Sequence, residues 1–411
     1  MPEELPEELP KLRLLNLHWV QWQGDQVLAL QDPLRLSAGS PLVPQALTPL
    51  LSLLDGTRDP DALRAGFLLR TGLHLVTSQI ESFLHSLDDA FLLDNQRFHG
   101  ALRQAMESYW SGPFRAPALA GECYPNDQSE LQDALDGYCR RAGAGYEDSP
   151  GRVVGLISPH IDYARGWRTY SETWQRARAA VEDADLIIVL GTDHAGSPGS
   201  VTLTRQSYAT PWGELPTDTD LVNRLAGILG EDRAFQEESH HIGEHSIELA
   251  AVWLHYVAGR EPKRLLPILC GSHEPLLIAD GVDAAPVWDA LSLLAEVAAQ
   301  SQVLVVAAGD LSHVGPAFGD SSPIAAADRA RVRSWDKEWL RAACSGSSNL
   351  LKDLILEHGD PTRICGSAPI HYLTAILGEA RGRMIAYDQC PADELGSFVS
   401  VAGVLYQAKP T

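Results

Sequence analysis

Four short apolar runs, Val153 to Ile157, Leu186 to Leu190, Leu265 to Leu269 and Val303 to Val306, constrain this chain more than any other feature. They alternate with stretches of helical period, the pattern of an α/β domain with a central mixed or parallel sheet flanked by helices. In open α/β sheets ligands bind beyond the carboxyl ends of the strands. Each run is followed there by a histidine: SPHID (His160), GTDHAG (His194), CGSH (His273) and AGDLSH (His313). With 14 histidines in 411 residues, four from four is improbable by chance. Several imidazoles converging on one sheet edge point to a metal or catalytic site more than to solvated side chains.

Neutral imidazole is the commonest protein ligand for Zn, Cu and Fe. Asp310, three residues before His313 in one strand-exit turn, can ligate or orient a neighbouring ring, although an isolated Asp more often forms a turn or cap. Cys365, in RICGSAPIHYLTAIL, stands just before a helix expected from about Ala368. That position favours a thiolate, both nucleophile and soft ligand; the other five cysteines read as inert. The segment EESHHIGEHSIE holds His240, His241 and His245, with His245 and Glu248 on one helical face. It is not HExxH, and GxSxG, GxxxxGK[ST] and a strand-linked GxGxxG are all missing. Zincin, serine hydrolase, P-loop and Rossmann chemistry therefore have no support.

The first 112 residues follow a different pattern. Leu15, Leu17 and Trp19 alternate, Val20 and Trp22 shift phase, and Gly24 and Val27 to Leu30 follow; this reads as a hairpin with a bulge at Val20. Three helices are expected over Pro44 to Leu54, Asp59 to Leu69 and Thr77 to Leu87. LLSLLDGTRDPDALRAGF and LVTSQIESFLHSL resemble the PqqD-like, precursor-peptide-recognition winged-helix modules. The resemblance implies peptide capture by strand addition at the wing edge, with a packing or dimerisation domain as the bland alternative. DNA binding is disfavoured, because residues 1–112 carry 8 Lys and Arg against 14 Asp and Glu. Residues 113 to about 150 read as a proline- and glycine-rich linker carrying one helix, Ser129 to Arg141. The expected domains are thus 1–112 and 113–411.

A net charge of −22 argues against nucleic acid and anionic membranes as partners. No apolar run approaches the ~20 residues of a membrane span, and MPEELPEELPKL does not look like a secretion signal. Six scattered cysteines without a CxxC pair fit a reduced, cytoplasmic protein.

SPHIDYARG, LGTDHAG, TPWGEL, EHSIEL, LLPILCG, AGDLSHVG and RICGSAPI occur in the order and spacing of the MEMO family. That family includes AmmeMemoRadiSam system protein B, and its fold is similar to LigB-type extradiol dioxygenases. The resemblance implies that His160, His194 and Cys365 are metal ligands, Cys365 standing where the dioxygenases carry Glu. It implies Asp310 and His313 as the catalytic polar pair, His313 as acid/base. Tyr163, Asp162, Asp193, Glu244, His245 and Glu248 are expected around the pocket; His273 has no family counterpart. Asp162 at a usual Gly position, Asp193 before His194 and Ala195 after it depart from the family pattern. Two His and a thiolate suit Fe(II), with Cu or Zn as alternatives, and a thiolate is softer and more oxidisable than Glu. The expected function is a metal-binding component of a radical-SAM-associated peptide or protein modification system, with redox or dioxygenase-like chemistry. Its implied partners are a radical-SAM enzyme and an AMMECR-domain protein. The alternative is a non-catalytic interaction protein that binds a partner peptide in a vestigial dioxygenase cleft.

Overall fold

The computed structural model describes residues 8–37, 39–143, 151–278 and 284–409. Gly145 and Pro150 of the expected linker, and the first seven residues of the chain, lie outside them. The chain divides into two compact units, Met1–Gly112 and Pro113–Thr411.

In the first unit, β1 (Asn16–Trp22), β2 (Asp25–Gln31) and β3 (Leu42–Pro44) form a three-stranded antiparallel sheet in that order. The expected bulge at Val20 is absent: the register runs unbroken from Asn16↔Gln31 to Trp22↔Asp25. Gln23 and Gly24 both take positive φ, the two-residue turn whose twist matches the strands without a bulge. The core lies on β2, through Val27, Leu28 and Leu30, so the phase shift in β1 marks a face left exposed. The first expected helix shrinks to Thr48–Leu51 after a 3-10 turn, because Leu42–Pro44 pairs with β2 and buries Val43. Helices Pro60–Thr71 and Thr77–Asp89 lie close to their expected spans, the first capped by Asp59 accepting from the Ala62 amide. A further helix, Gln96–Ser111, was not anticipated; Asn95 caps it and it buries Phe98, Met106 and Tyr109.

The second unit is α/β. Its sheet contains β4 (Val153–Ser158), β5 (Leu186–Thr192), β6 (Val201–Leu203), β9 (Leu265–Cys270), β10 (Val303–Ala308), β11 (His313–Val314), β12 (Arg381–Pro391) and β13 (Phe398–Gln407). β7 (Tyr208–Thr210) and β8 (Gly213–Leu215) form a separate hairpin. The order is β11-β13-β4-β10-β5-β9-β6, with β12 on β13. The four runs read from the sequence are the parallel centre, β4-β10-β5-β9, and antiparallel strands close both sides. Every residue of β5, β9 and β10 is buried, as a sheet covered on both faces requires. Ile188, Leu190, Ile268 and Val305 pack into one apolar layer with helices Ala285–Gln300 and Ser367–Leu377. Ile187, Val189, Leu269 and Val306 pack into the other with helices Tyr163–Asp183 and Ser246–Val257.

The expected linker is, over its described residues, part of this core. Arg115 is 1% exposed, and Leu119 and Tyr124 are buried beside it. The helix there, Gln128–Ala142, is capped by Asp127. Proline and glycine spacing suggested a linker, but a buried ion pair holds the segment down. All six cysteines are free. Among the described residues no helix is long and apolar enough to cross a membrane.

Candidate metal centre

Parallel strands that end together bring their exit residues together. His160 follows β4, His194 follows β5 and Asp310 follows β10, while Cys365 precedes the helix Ser367–Leu377. The His160 ring centroid lies 5.0 Å from those of both His194 and His245, and the His194 and His245 rings stack at 4.6 Å. Cys365 Sγ is 3.2 Å from His160 Nε2. The ligand atoms of His160, His194 and Cys365 all fall within 4.8 Å of one another.

Each side chain is aimed by a partner. His160 Nδ1 donates to the Ala308 carbonyl at 3.1 Å, leaving the Nε2 lone pair for the site. Its backbone N–H donates to Asp310 Oδ1 at 2.9 Å. Burial and the nearby charges of His194 and His245 push the His160 pKa well down, so its ring is neutral. His194 Nδ1 meets Glu244 Oε2 at 3.0 Å, the carboxylate–histidine arrangement that orients metal ligands. Burial opposes charge on His194, but the Glu244 carboxylate and bonds with Cys365 and Glu244 win, raising its pKa well above the usual value. Glu244 also holds His245, accepting from its backbone N–H at 2.7 Å and lying 3.0 Å from its Nδ1. His160 is 2% exposed but the His194 side chain 27%, so the centre opens to solvent on the His194 side.

Two glycines let Cys365 come so close. A Cβ on Gly309 would lie 2.4 Å from Gly366 Cα, and one on Gly366 would lie 2.7 Å from the Asp310 carbonyl oxygen. No side chain fits between these loops. The Thr192 hydroxyl donates to the Cys365 carbonyl at 3.0 Å, tying the loop to the end of β5.

The thiolate expected from the helix start is not favoured here. Burial is the largest influence on Cys365 and pushes its pKa up, so the free group is a thiol. Asp310 is pushed up to about 6, chiefly by burial. His313 is pushed down to about 4, chiefly by burial and then by the charge of His194. Its Nδ1 donates to the carbonyls of Leu311 and Arg363, leaving Nε2 as a neutral base.

Of the expected pocket residues, Glu244 and His245 stand in the cluster and Asp193 beside it, but three play other parts. Glu248 is fully buried and accepts from Arg115, from Tyr124 and from the amides of Ala118 and Leu119; it anchors the 115–124 segment. Tyr163 is a core residue whose hydroxyl donates to the Leu249 carbonyl, packed against Tyr170 and Trp253. Asp162 caps the helix Tyr163–Asp183 and pairs with Arg165. A helical face places Glu248 next to His245 in sequence logic, but Arg115 arrives from elsewhere and takes it. His273 packs against His371, away from the centre.

Arg115 gave no signal in the sequence, yet it also donates to the carbonyls of His241 and Glu244 at 2.7 and 3.0 Å. It thereby positions the segment that carries Glu244 and His245.

A family model described as Memo-like protein matches residues 115–405. The chain is 26% identical to a MEMO1 family protein of Aquifex aeolicus over 401 residues, covering 97% of this chain and 99% of that one. It is 30% identical to a MEMO1 family protein of Thermococcus onnurineus over 229 residues, 54% of this chain and 74% of that one. With a MEMO1 family protein of Thermus thermophilus it shares 28% identity over 327 residues, covering 77% and 90% of the two chains.

Proposed function

The chain belongs to the Memo-like protein family, and from that membership we propose that it is the metal-binding component of a radical-SAM-associated peptide or protein modification system. The observation that carries the reading is the approach of Cys365 Sγ to within 3.2 Å of His160 Nε2, with His194 completing a three-donor set. The set fits a metal: two imidazoles are oriented by partners on their far nitrogens, and a thiol faces them. His160, His194 and Cys365 would hold Fe(II) by preference, with Cu and Zn as alternatives. When bound, such a metal supplies Lewis-acid and, for Fe or Cu, one-electron redox chemistry.

The residues around the set do the rest of the work. Asp310 fixes the His160 backbone. His313, neutral with a free Nε2, takes a proton from a substrate group held beside His194, where the centre meets solvent. Glu244 steadies His194 and His245 as charge in the site changes.

In the N-terminal unit, β1 is an edge strand that exposes Leu17 at 48% and Trp19 at 41%. An edge of that kind supports capture of an extended peptide by strand addition, with apolar side chains reading the sequence. This is the PqqD-like role, and it fits a peptide or small protein as the modified substrate. The radical-SAM enzyme and the AMMECR-domain protein are the partners this reading requires.

Metal content by mass spectrometry after anaerobic purification tests the centre, comparing the protein with His160→Ala and Cys365→Ala. Near-stoichiometric Fe or Cu lost in both variants is the expected result. A protein that holds no metal at His160 and Cys365 even after loading would return the cleft to a peptide-binding role without catalysis.

A further inference from the structure

A second group of donors lies next to the first and is not used by it. Asp193 precedes His194 at the end of β5, and its side chain is fully buried. His240 Nδ1 lies 2.9 Å from Asp193 Oδ2, and Glu237 completes a set whose ligand atoms fall within 4.8 Å of one another. We propose that Asp193, Glu237 and His240 form a second divalent-cation site, independent of His160, His194 and Cys365.

The three side chains are held for this role. The Ala195 amide donates to Asp193 Oδ1 at 3.1 Å. Gly196 has no side chain because a Cβ there would meet the Asp193 carboxyl carbon at 2.7 Å. Glu237 Oε1 accepts from the Ser197 amide at 3.1 Å and also from the Ser197 hydroxyl. The loop Ala195–Ser197 thus grips both carboxylates, and Glu237 and His240 remain half-buried, open to an entering ion.

Charge supports the same conclusion. Among the described residues, Asp193 pairs with His240 and neither Asp193 nor Glu237 forms an ion pair with Lys or Arg. Two carboxylates face one imidazole, and a bound divalent ion would take the place of the proton shared between His240 and Asp193. Two carboxylates with one imidazole accept hard ions such as Mn²⁺ as well as Zn²⁺ and Fe²⁺, whereas the first set adds the soft sulfur donor of Cys365. The two sites therefore differ in donor chemistry as well as place.

The test uses the full-length protein, stripped with chelator and reloaded with Zn²⁺ for stoichiometry and with Co²⁺ for spectroscopy. The expected result is about two ions per chain, falling to about one in Glu237→Gln and in Asp193→Asn. In those variants the Co²⁺ that remains shows a thiolate charge-transfer band. In Cys365→Ala the remaining ion shows none. Gly196→Ala, which displaces Asp193, should weaken the second equivalent by about tenfold or more while circular dichroism stays unchanged. One ion per chain that is lost in Cys365→Ala and kept in Glu237→Gln would overturn the proposal. One ion lost in Glu237→Gln and kept in Cys365→Ala would uphold it and remove the reading of the first centre instead.

Discussion

The carboxylate of Glu244 lies 3.0 Å from His194 Nδ1 and 3.0 Å from His245 Nδ1, so one buried acid holds both stacked imidazoles. Outer-sphere carboxylates of this kind typically contribute about 10–100-fold to metal affinity. Glu244→Gln should weaken metal binding at the His160, His194 and Cys365 set by about that factor. Competition against a chelator of known affinity measures it, and unchanged affinity would show that Glu244 orients nothing.

Gly309 and Gly366 cross at a distance no Cβ can enter. Gly309→Ala must push the Cys365 loop away from His160. The expected variant keeps its helical and sheet content by circular dichroism but loses the thiolate-to-metal charge-transfer band on Co²⁺ loading. A band of normal intensity would show that the loops have slack that their packing denies.

Arg115 and Glu248 are each 1% exposed, and the Arg115 side chain also holds two backbone carbonyls. Burial opposes charge on Glu248, but Arg115, the Tyr124 hydroxyl and the Ala118 amide keep its carboxyl below the usual range. Arg115→Met leaves that carboxylate buried and unpaired, a loss of about 3–5 kcal/mol. Urea denaturation should show the drop, with Tyr124→Phe costing about 1 kcal/mol. Limited proteolysis should open residues 113–143 in the Arg115 variant and spare them in the unmodified protein.

His241, His273 and His371 are among the buried histidines that set the acid limit. Burial pushes His241 and His273 down to about 3 and His371 down to about 4. Unfolded, each titrates near 6.5, so below that pH the unfolded chain binds protons that the folded chain refuses. Their contribution is fully present above pH 6.5 and is lost progressively as pH falls toward 4. Asp310, raised to about 6 from 3.8 by burial, acts in the opposite sense between those values. Urea midpoints should therefore fall from pH 7.5 to pH 5, and His371→Phe should fall less steeply. A His371→Phe slope equal to that of the unmodified protein would show that this ring is not buried neutral. The variant also removes a buried Nδ1 that has no hydrogen-bond partner among the described residues.

Much of the architecture could be read in advance because it rests on local pattern. The four apolar runs became the four central parallel strands, since a run of that length between helical stretches has few other places to go. The short β6 was missed because three residues at a sheet's margin carry little pattern, and the hairpin β12–β13 was missed because Ser400 and Gly403 interrupt the apolar run of β13, although that strand is buried beside β4. Asp162 and Tyr163 fell beside His160 in sequence and were assigned to the pocket with it. In three dimensions the helix start turns them away, one to cap and one to the core.

The sequence alone determined the fold class, the central strands and the residues at their ends, His160, His194, His273 and Asp310, with Cys365 at a helix start, because parallel strands all exit on one edge of the sheet. Only the tertiary structure decided which of those residues meet. His273 leaves with β9 but packs on His371, Glu248 is claimed by an arginine 133 positions away, and Asp193 turns from His194 toward His240. Those choices depend on desolvated charges finding partners across the chain, and no local pattern records where such a partner comes from.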